Sequence, residues 1–290
     1  MKIFNRAKKW LWLAVFIFLA YSFSFLASHS MRQTKNIASK NVERIVSLNL
    51  AATEILIKLG LNDQIVGVTL SKNNPEIVKE KPKVGKSFGD LNLEAILALE
   101  PDIAFAGKSD SQILKEKGIP VFVVDTYTLE EVVTLTREVG KTVNREAEAC
   151  KIADRMEERI NLILERLKDI KVRPLVYFES GPIGHTRASG SLTHDLITLA
   201  GGENLAKDEL SSFPLLSNEY IINRNPDIII VEDYGVPVEA IKGRDVWQDI
   251  KAIKNNKVFK SPVYYTNYTS RSIDGLEQFA RWFHPELFKE

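Results

Sequence analysis

One cysteine and four histidines in 290 residues leave this chain short of the usual metal and redox ligands. Cys150 alone permits neither an internal disulfide nor a multi-cysteine metal site. It sits in a helical stretch far from the amino terminus, too far to carry a lipid for the leader, and reads as a small packing residue. Of the histidines, His29 precedes the folded part, His284 is near its end, and only His185 and His194 fall inside. A bare Zn²⁺ or Mn²⁺ held between two lobes needs several converging imidazoles and carboxylates, so a protein-bound metal is not expected. Phosphate-binding loops are missing too. In "VGKS" (84–87) and "AGKS" (106–109) the place five residues before the glycine holds Glu80 and Asp102 rather than a second glycine. There is no G-x-G-x-x-G. "GSLTHD" gathers Ser191, His194 and Asp195, but neighbours in sequence are not a catalytic triad, and Ser191 reads better as a helix cap. An excess of charge is also absent: 39 bases face 38 acids. Four of the bases, Lys2, Arg6, Lys8 and Lys9, lie in residues 1–30, which hold no acid, so without them the formal charge of +1 becomes −3. A nucleic-acid partner therefore has no electrostatic support.

What is present begins with the leader. "MKIFNRAKK" is basic, and "WLWLAVFIFLAYSFSFLA" (10–27) is apolar except for Ser22 and Ser24. This is an export signal or an uncleaved signal anchor, with the basic flank retained in the cytoplasm and the rest carried outside. Ala27, Ser28 and Ser30 permit cleavage without fixing a site. Residues 31–41 are polar and aperiodic and form a tether. The remaining length suits two domains, and 44% apolar with 27% charged residues is ordinary for a folded protein.

From residue 42 the apolar pattern alternates between short strands and helices. The strand around Ile45, Val46 and Leu48 leads to the helix "AATEILIKLGL" and the strand "QIVGVTL". A turn-rich loop, "PKVGKSFGDLN", follows. Then come "DIAFAG", the helix "DSQILKEKG", "PVFVVD" and the helix "LEEVVTLTREVGKTV". Such alternation implies parallel β-α units. Residues 144–170 contain no Pro or Gly, and Ala149, Ile152, Met156, Ile160, Ile163 and Leu167 fall at helical spacing. The resulting helix would run on the order of 40 Å, which suits a rigid connector. After Pro174 the alternation restarts. The fold class is therefore α/β: two lobes of parallel β-α units, 42–143 and 171–290, joined by one long rigid helix.

One unit occurs twice. "NLEAILALEPDIAFA" (92–106) and "SNEYIINRNPDIIIV" (217–231) both read as a helix, Pro-Asp and an apolar strand, with Glu94 and Glu219 seven residues before the Pro. In the first turn of a helix an acid is favoured by the dipole by roughly 0.3–1 kcal/mol, which accounts for either one singly. The loops after the strands offer binding groups where α/β folds place ligands. These are Asn49, Lys86, Phe88, Lys108 and Tyr127 in the first lobe, and His185, Arg187, Phe213, Tyr234, Tyr264, Tyr265, Tyr268 and Arg271 in the second. Aromatics set among cations suit a large, flat or anionic ligand.

"RIVSLNLAATEILIKLGLNDQIVGV", "PKVGKSFGDLNLEAILALEPDIAFAG", "GIPVFVVD", "LTHDLITLAGGENLAKD", "PLLSNEYIINRNPDIIIV" and "DGLEQFARWFHPE" together resemble the solute-binding proteins of ABC importers for iron chelates, heme and corrinoids. The likeness covers about residues 42–287. It implies two α/β lobes around a ligand cleft, a long stiff helix between them, no enzymatic activity and no resident cofactor. It also implies docking of Glu94 and Glu219 on arginine pockets of a membrane permease that works with an ATPase. Heme-binding relatives tend to carry Tyr where this chain has Lys86, and the B12-binding relative has Trp where it has Phe88. "LNLAATE" replaces the more usual "SPSATE". The resemblance thus puts an iron(III) siderophore first, a corrinoid second and heme third. A signal-anchored sensor with the same fold is the alternative outside transport.

Overall fold

The computed structural model describes residues 42–86 and 90–289. The leader, the tether and Phe88 lie outside the described residues. Among those described, no helix is long and apolar enough to cross a membrane.

The first sheet holds β1 (Ile45–Ser47), β2 (Ile65–Leu70), β3 (Lys83–Lys86), β4 (Asp90–Leu91), β5 (Ile103–Gly107) and β6 (Val121–Val124), in the order β4-β3-β2-β1-β5-β6. All its pairs are parallel except β3 with β4. Its helices are α1 (Leu50–Lys58), α2 (Leu93–Ala98), α3 (Lys108–Glu116) and α4 (Leu129–Thr142). They bury Ile55, Leu56 and Val139 on one face of the sheet, and Ile96 and Leu114 on the other. Strands covered on both faces need continuous apolar runs, which "IAFAG" and "VFVV" supply.

Next comes α5 (Glu146–Leu167), and then the second sheet: β7 (Leu175–Glu179), β8 (Glu203–Asn204), β9 (Ile228–Glu232) and β10 (Val258–Ser261), all parallel, in the order β10-β9-β7-β8. One face carries α6 (Leu192–Leu199) and, near the carboxyl end, a helix at Ser272–Phe283. The other carries α7 (Asn218–Arg224), α8 (Val238–Lys242) and α9 (Lys251–Lys254); the helix at Ser272–Phe283, on the first face, is α10. In each sheet the chain changes direction of travel at one strand, β1 in the first and β7 in the second. Crevices at the carboxyl ends of such strands are where open α/β sheets bind ligands.

Two features differ from the sequence reading. The stretch read as a loop at 82–92 contains β3 and β4, a short antiparallel pair in which Gly85 has φ 144° and a Cβ would lie 2.4 Å from the Asp90 carbonyl oxygen. Only glycine fits there. The connector is also shorter and less solitary than expected. Its 22 residues span roughly 33 Å. Along it, Ala149 belongs to the core of the first lobe, while Ala153, Met156, Ile163 and Leu167 belong to that of the second. Helix α4 does the same in reverse: Leu129, Val132 and Val133 pack with the second lobe, Leu135, Val139 and Val143 with the first. Two antiparallel helices therefore tie the lobes together.

The duplicated unit is duplicated in conformation. Asn92 and Ser217 cap the two short helices, accepting from the N–H of Ala95 and Tyr220. Ile96 and Ile221 are fully buried. Glu100 and Asn225 take left-handed backbone, φ 44° and 52°, before the proline. Asp102 then accepts from the N–H groups of Glu43 and Arg44, and Asp227 from that of Leu175, so each aspartate pins the entry of its lobe's first strand.

Candidate functional site

In the first lobe the predicted residues stand at the carboxyl ends of β1, β3, β5 and β6. Asn49 caps α1, its Oδ1 accepting from Ala52 N–H at 3.2 Å. Lys86 is exposed and pairs with Asp90 at 3.6 Å across the β3–β4 turn. Lys108 opens α3 and is exposed. Tyr127 leaves β6 toward solvent, its phenol pushed up chiefly by a hydrogen bond to Asp125, with Tyr268 of the other lobe adding to the rise.

In the second lobe, residues 184–188 run antiparallel to 212–216: Thr186 N–H reaches the Pro214 carbonyl and Ala188 N–H the Ser212 carbonyl. That pairing sets the Arg187 guanidinium 4.9 Å above the Phe213 ring. Arg187 also donates to the Tyr234 hydroxyl at 3.4 Å and lies 3.6 Å from a Glu232 oxygen. Glu232 closes β9, is 2% exposed, and accepts hydrogen bonds from Tyr234 and, at 2.8 Å, from Thr266. Burial and the adjacent Glu232 push the Tyr234 phenol up. Arg187, Phe213 and Tyr234, predicted separately, thus form one cluster, beside which His185 is exposed. Around it the exposed apolar side chains are Phe213 at 59%, Leu215 at 68% and Tyr234 at 57%.

The remaining predicted residues are arranged differently. Arg271 crosses to the first lobe and pairs with Glu54 while stacking 4.7 Å from the Tyr264 ring. Next to it Lys58 donates to Ser270, and burial pulls the Lys58 ammonium down. These groups border a cavity of about 470 Å³ that also takes in Asn73, Asn74 and Pro75. Tyr265 packs against the second lobe's core and edge-on to Tyr264 at 5.0 Å, and Tyr268 packs on the same core with φ 56°. Glu94 and Glu219 each occupy the second position of their helix, exposed.

The run of Ser191, His194 and Asp195 has no catalytic geometry. Ser191 Oγ donates to the Ala188 carbonyl at 2.7 Å and accepts from His194 N–H, His194 Nδ1 faces Asn204, and Asp195 accepts from Leu129 N–H at 2.8 Å. Each member of the trio is spent on structure. Among the described residues no group of three or more His, Cys, Asp or Glu could hold a metal ion.

Three partners escaped the sequence reading: Glu54, Glu232 and the pair Glu179–Arg244. Glu179 closes β7 and is gripped by both terminal nitrogens of Arg244 at 2.7 and 2.8 Å. A signal for two of them was present, since "LVYFE" and "IIIVE" are the two central strands of one lobe and each ends an apolar run on an acid.

The family model described as periplasmic binding protein matches residues 45–265. An uncharacterised ABC transporter substrate-binding lipoprotein, YvrC, of Bacillus subtilis strain 168 is 31% identical over 87% of this chain and 83% of its own. A vitamin B12-binding protein of Vibrio campbellii is 26% identical over 85% and 91%. Among solved structures, the apo form of a periplasmic heme-binding protein from Roseiflexus sp. RS-1 superposes with a TM-score of 0.75 at 25% identity, covering 85% of this chain and 99% of that one.

Proposed function

The chain belongs to the periplasmic binding protein family, and we propose that it captures a large metal chelate of low net charge, a corrinoid before a ferric siderophore. It is a solute-binding component of an ABC importer for ligands of the iron, heme or B12 type, working with a permease and its ATPase, and it is not an enzyme.

The observation that carries the ligand class is the pairing of the cleft arginines. Ferric siderophores of the catecholate and carboxylate types are multiply anionic and call for guanidinium groups free to meet them. Here Arg187 lies against Glu232, Arg271 against Glu54, and Lys86 against Asp90. Lys108 is the cation of the set left without an ion pair among the described residues. A corrinoid is close to neutral and asks for apolar and aromatic walls, which Tyr127, Phe213 and Tyr234 supply from both lobes at about half exposure. The sequence alone put the siderophore first; the ion pairs favour the reverse order. The relative named as a vitamin B12-binding protein supports it, and the heme-binding neighbour keeps heme third.

Three further assignments belong to this reading. The lobes are 42–143 and 171–290, with 144–170 between them. Glu94 and Glu219 dock the protein on its permease. The protein acts outside the cytoplasm, held at the membrane through residues 1–30 where these are not removed.

Thermal-shift and calorimetric titration of the full chain in mild detergent, against cyanocobalamin, hemin and a ferric tris-catecholate, tests the ligand. Saturable stabilisation by cyanocobalamin is expected, about 2.7 kcal/mol at a hundredfold excess over Kd. Stabilisation by the tris-catecholate alone would return the siderophore to first place.

A further inference from the structure

Both acids that end the central strands of the second lobe are buried, and both face an arginine, yet the two pairs are built differently. Glu179, with no exposed side-chain surface, is held by two Arg244 nitrogens at 2.7 and 2.8 Å, and Arg244 in turn stacks on Trp247 at 4.2 Å. The Tyr177 hydroxyl also donates to Glu179 at 3.1 Å, so that carboxylate is fully enclosed. Glu232 has a single arginine contact, Arg187 Nη2 at 3.6 Å, and its other partners are the hydroxyls of Tyr234 and Thr266. Arg187 keeps a quarter of its side chain exposed, between Phe213 and Tyr234. A buried carboxylate at this distance acts on its surroundings through a low effective dielectric, so its charge is felt strongly by the arginine above it.

Glu232 is too deep to touch a solute. Its effect on a solute must pass through Arg187 and Tyr234, which lie against it at the carboxyl end of β9. We propose that Glu232 is the specificity-determining residue of the cleft: by neutralising Arg187 from beneath, it excludes multiply anionic chelates and leaves the site to large ligands of near-zero net charge. Without Glu232 the guanidinium would carry its full charge into a ring of aromatic and apolar side chains, the setting in which an arginine binds an anion most strongly. Tyr234 and Thr266 hold the carboxylate in place and so fix the charge balance of the site. The proposal rests on the cleft being the ligand site.

The test compares Glu232→Gln with the parent protein, full chain in both cases. Glutamine keeps the shape and one acceptor for the two hydroxyls while removing the charge. Isothermal titration with cyanocobalamin as the near-neutral probe and a ferric tris-catecholate as the anionic one gives an affinity ratio for each protein. The ratio should move toward the anion by at least about tenfold in Glu232→Gln, the weight of one charge-assisted hydrogen bond. The new anion affinity should fall with added salt, and Arg187→Gln added to Glu232→Gln should abolish it. Glu179→Gln, which disturbs a structural pair in the same sheet, should lower the melting temperature and leave the ratio where it was. An unchanged ratio in Glu232→Gln, or a gain that survives removal of Arg187, would overturn the proposal. The assignment of the natural ligand stands or falls separately: if the parent protein prefers the anion, the corrinoid reading fails. The effect of Glu232 is still read from the change of ratio.

Discussion

Glu100 and Asn225 hold the same place in the duplicated unit and the same left-handed backbone, yet only one of them is a residue that adopts it readily. A left-handed conformation costs a residue with a full side chain roughly 1–2 kcal/mol, and asparagine escapes much of that by hydrogen bonding locally. Asn225 is anchored further by a long-range bond, its side chain accepting from Lys251 N–H at 2.9 Å. Glu100 is exposed and carries the strain without that return. Glu100→Asn should therefore stabilise the protein by about 0.5–1 kcal/mol, seen as a rise of roughly 1–4 °C in melting temperature. A fall would show that the glutamate is held by more than its backbone. At this scale the sequence was half legible. The repeat displayed its caps, its prolines and its two exposed acids, because those depend on neighbours within one turn. The partners of Arg187 and Arg271 did not show, because Glu54 lies 217 residues from Arg271 and nothing local marks the meeting.

Between the residue and the molecule, the corner joining α4 to α5 decides how the lobes are tied. The two helices approach so closely that a Cβ on Gly140 would meet the Ala149 Cβ at 2.0 Å and the Arg145 carbonyl oxygen at 2.9 Å. Replacing a helical glycine by alanine ordinarily gains up to about 1 kcal/mol, but overpacking a filled contact costs typically 1–3 kcal/mol. Both neighbours here are a helix methyl and backbone, so neither can swing aside, and the clash should win. Gly140→Ala is expected to lower the denaturation midpoint in urea, while the same change at the exposed Gly118 turn would test only backbone strain. A neutral or stabilising Gly140→Ala would mean that α4 and α5 can part, and with them the lobes. The periodicity of 144–170 announced a long helix, and the structure has one at Glu146–Leu167. That α4 shares the task was hidden, because its apolar stripe looks the same whether one core or two receive it. The β3–β4 pair was hidden for another reason: strands of four and two residues leave no period to read.

For the molecule as a whole, the tie has a consequence for delivery. Besides α4 and α5, polar bonds cross between the lobes or onto the tie: Arg271 to Glu54, Lys58 to Ser270, Asp195 to Leu129 N–H, and Arg159 of α5 to Asp274 at 2.8 Å. A body braced in this way should move little about its cleft, so the spacing of Glu94 and Glu219, one on each lobe, is expected to stay nearly constant with the cleft empty or filled. On the proposed docking role, two exposed acids at fixed separation would orient the protein on a pair of basic pockets, but they would report poorly on whether a ligand is aboard. Charge reversal should therefore separate docking from capture. Glu94→Arg with Glu219→Arg is expected to leave the Kd for cyanocobalamin unchanged in vitro, because neither residue belongs to the Arg187–Tyr234 cluster. It should also cut uptake of labelled cobalamin by cells that depend on this protein by well over tenfold. Either reversal alone should give an intermediate loss, since one lobe would still be held by a charge-assisted pair. Normal uptake by the double variant would place the permease contact elsewhere and favour a binding module that signals rather than transports. Weakened binding in vitro would mean that the two acids belong to the cleft after all.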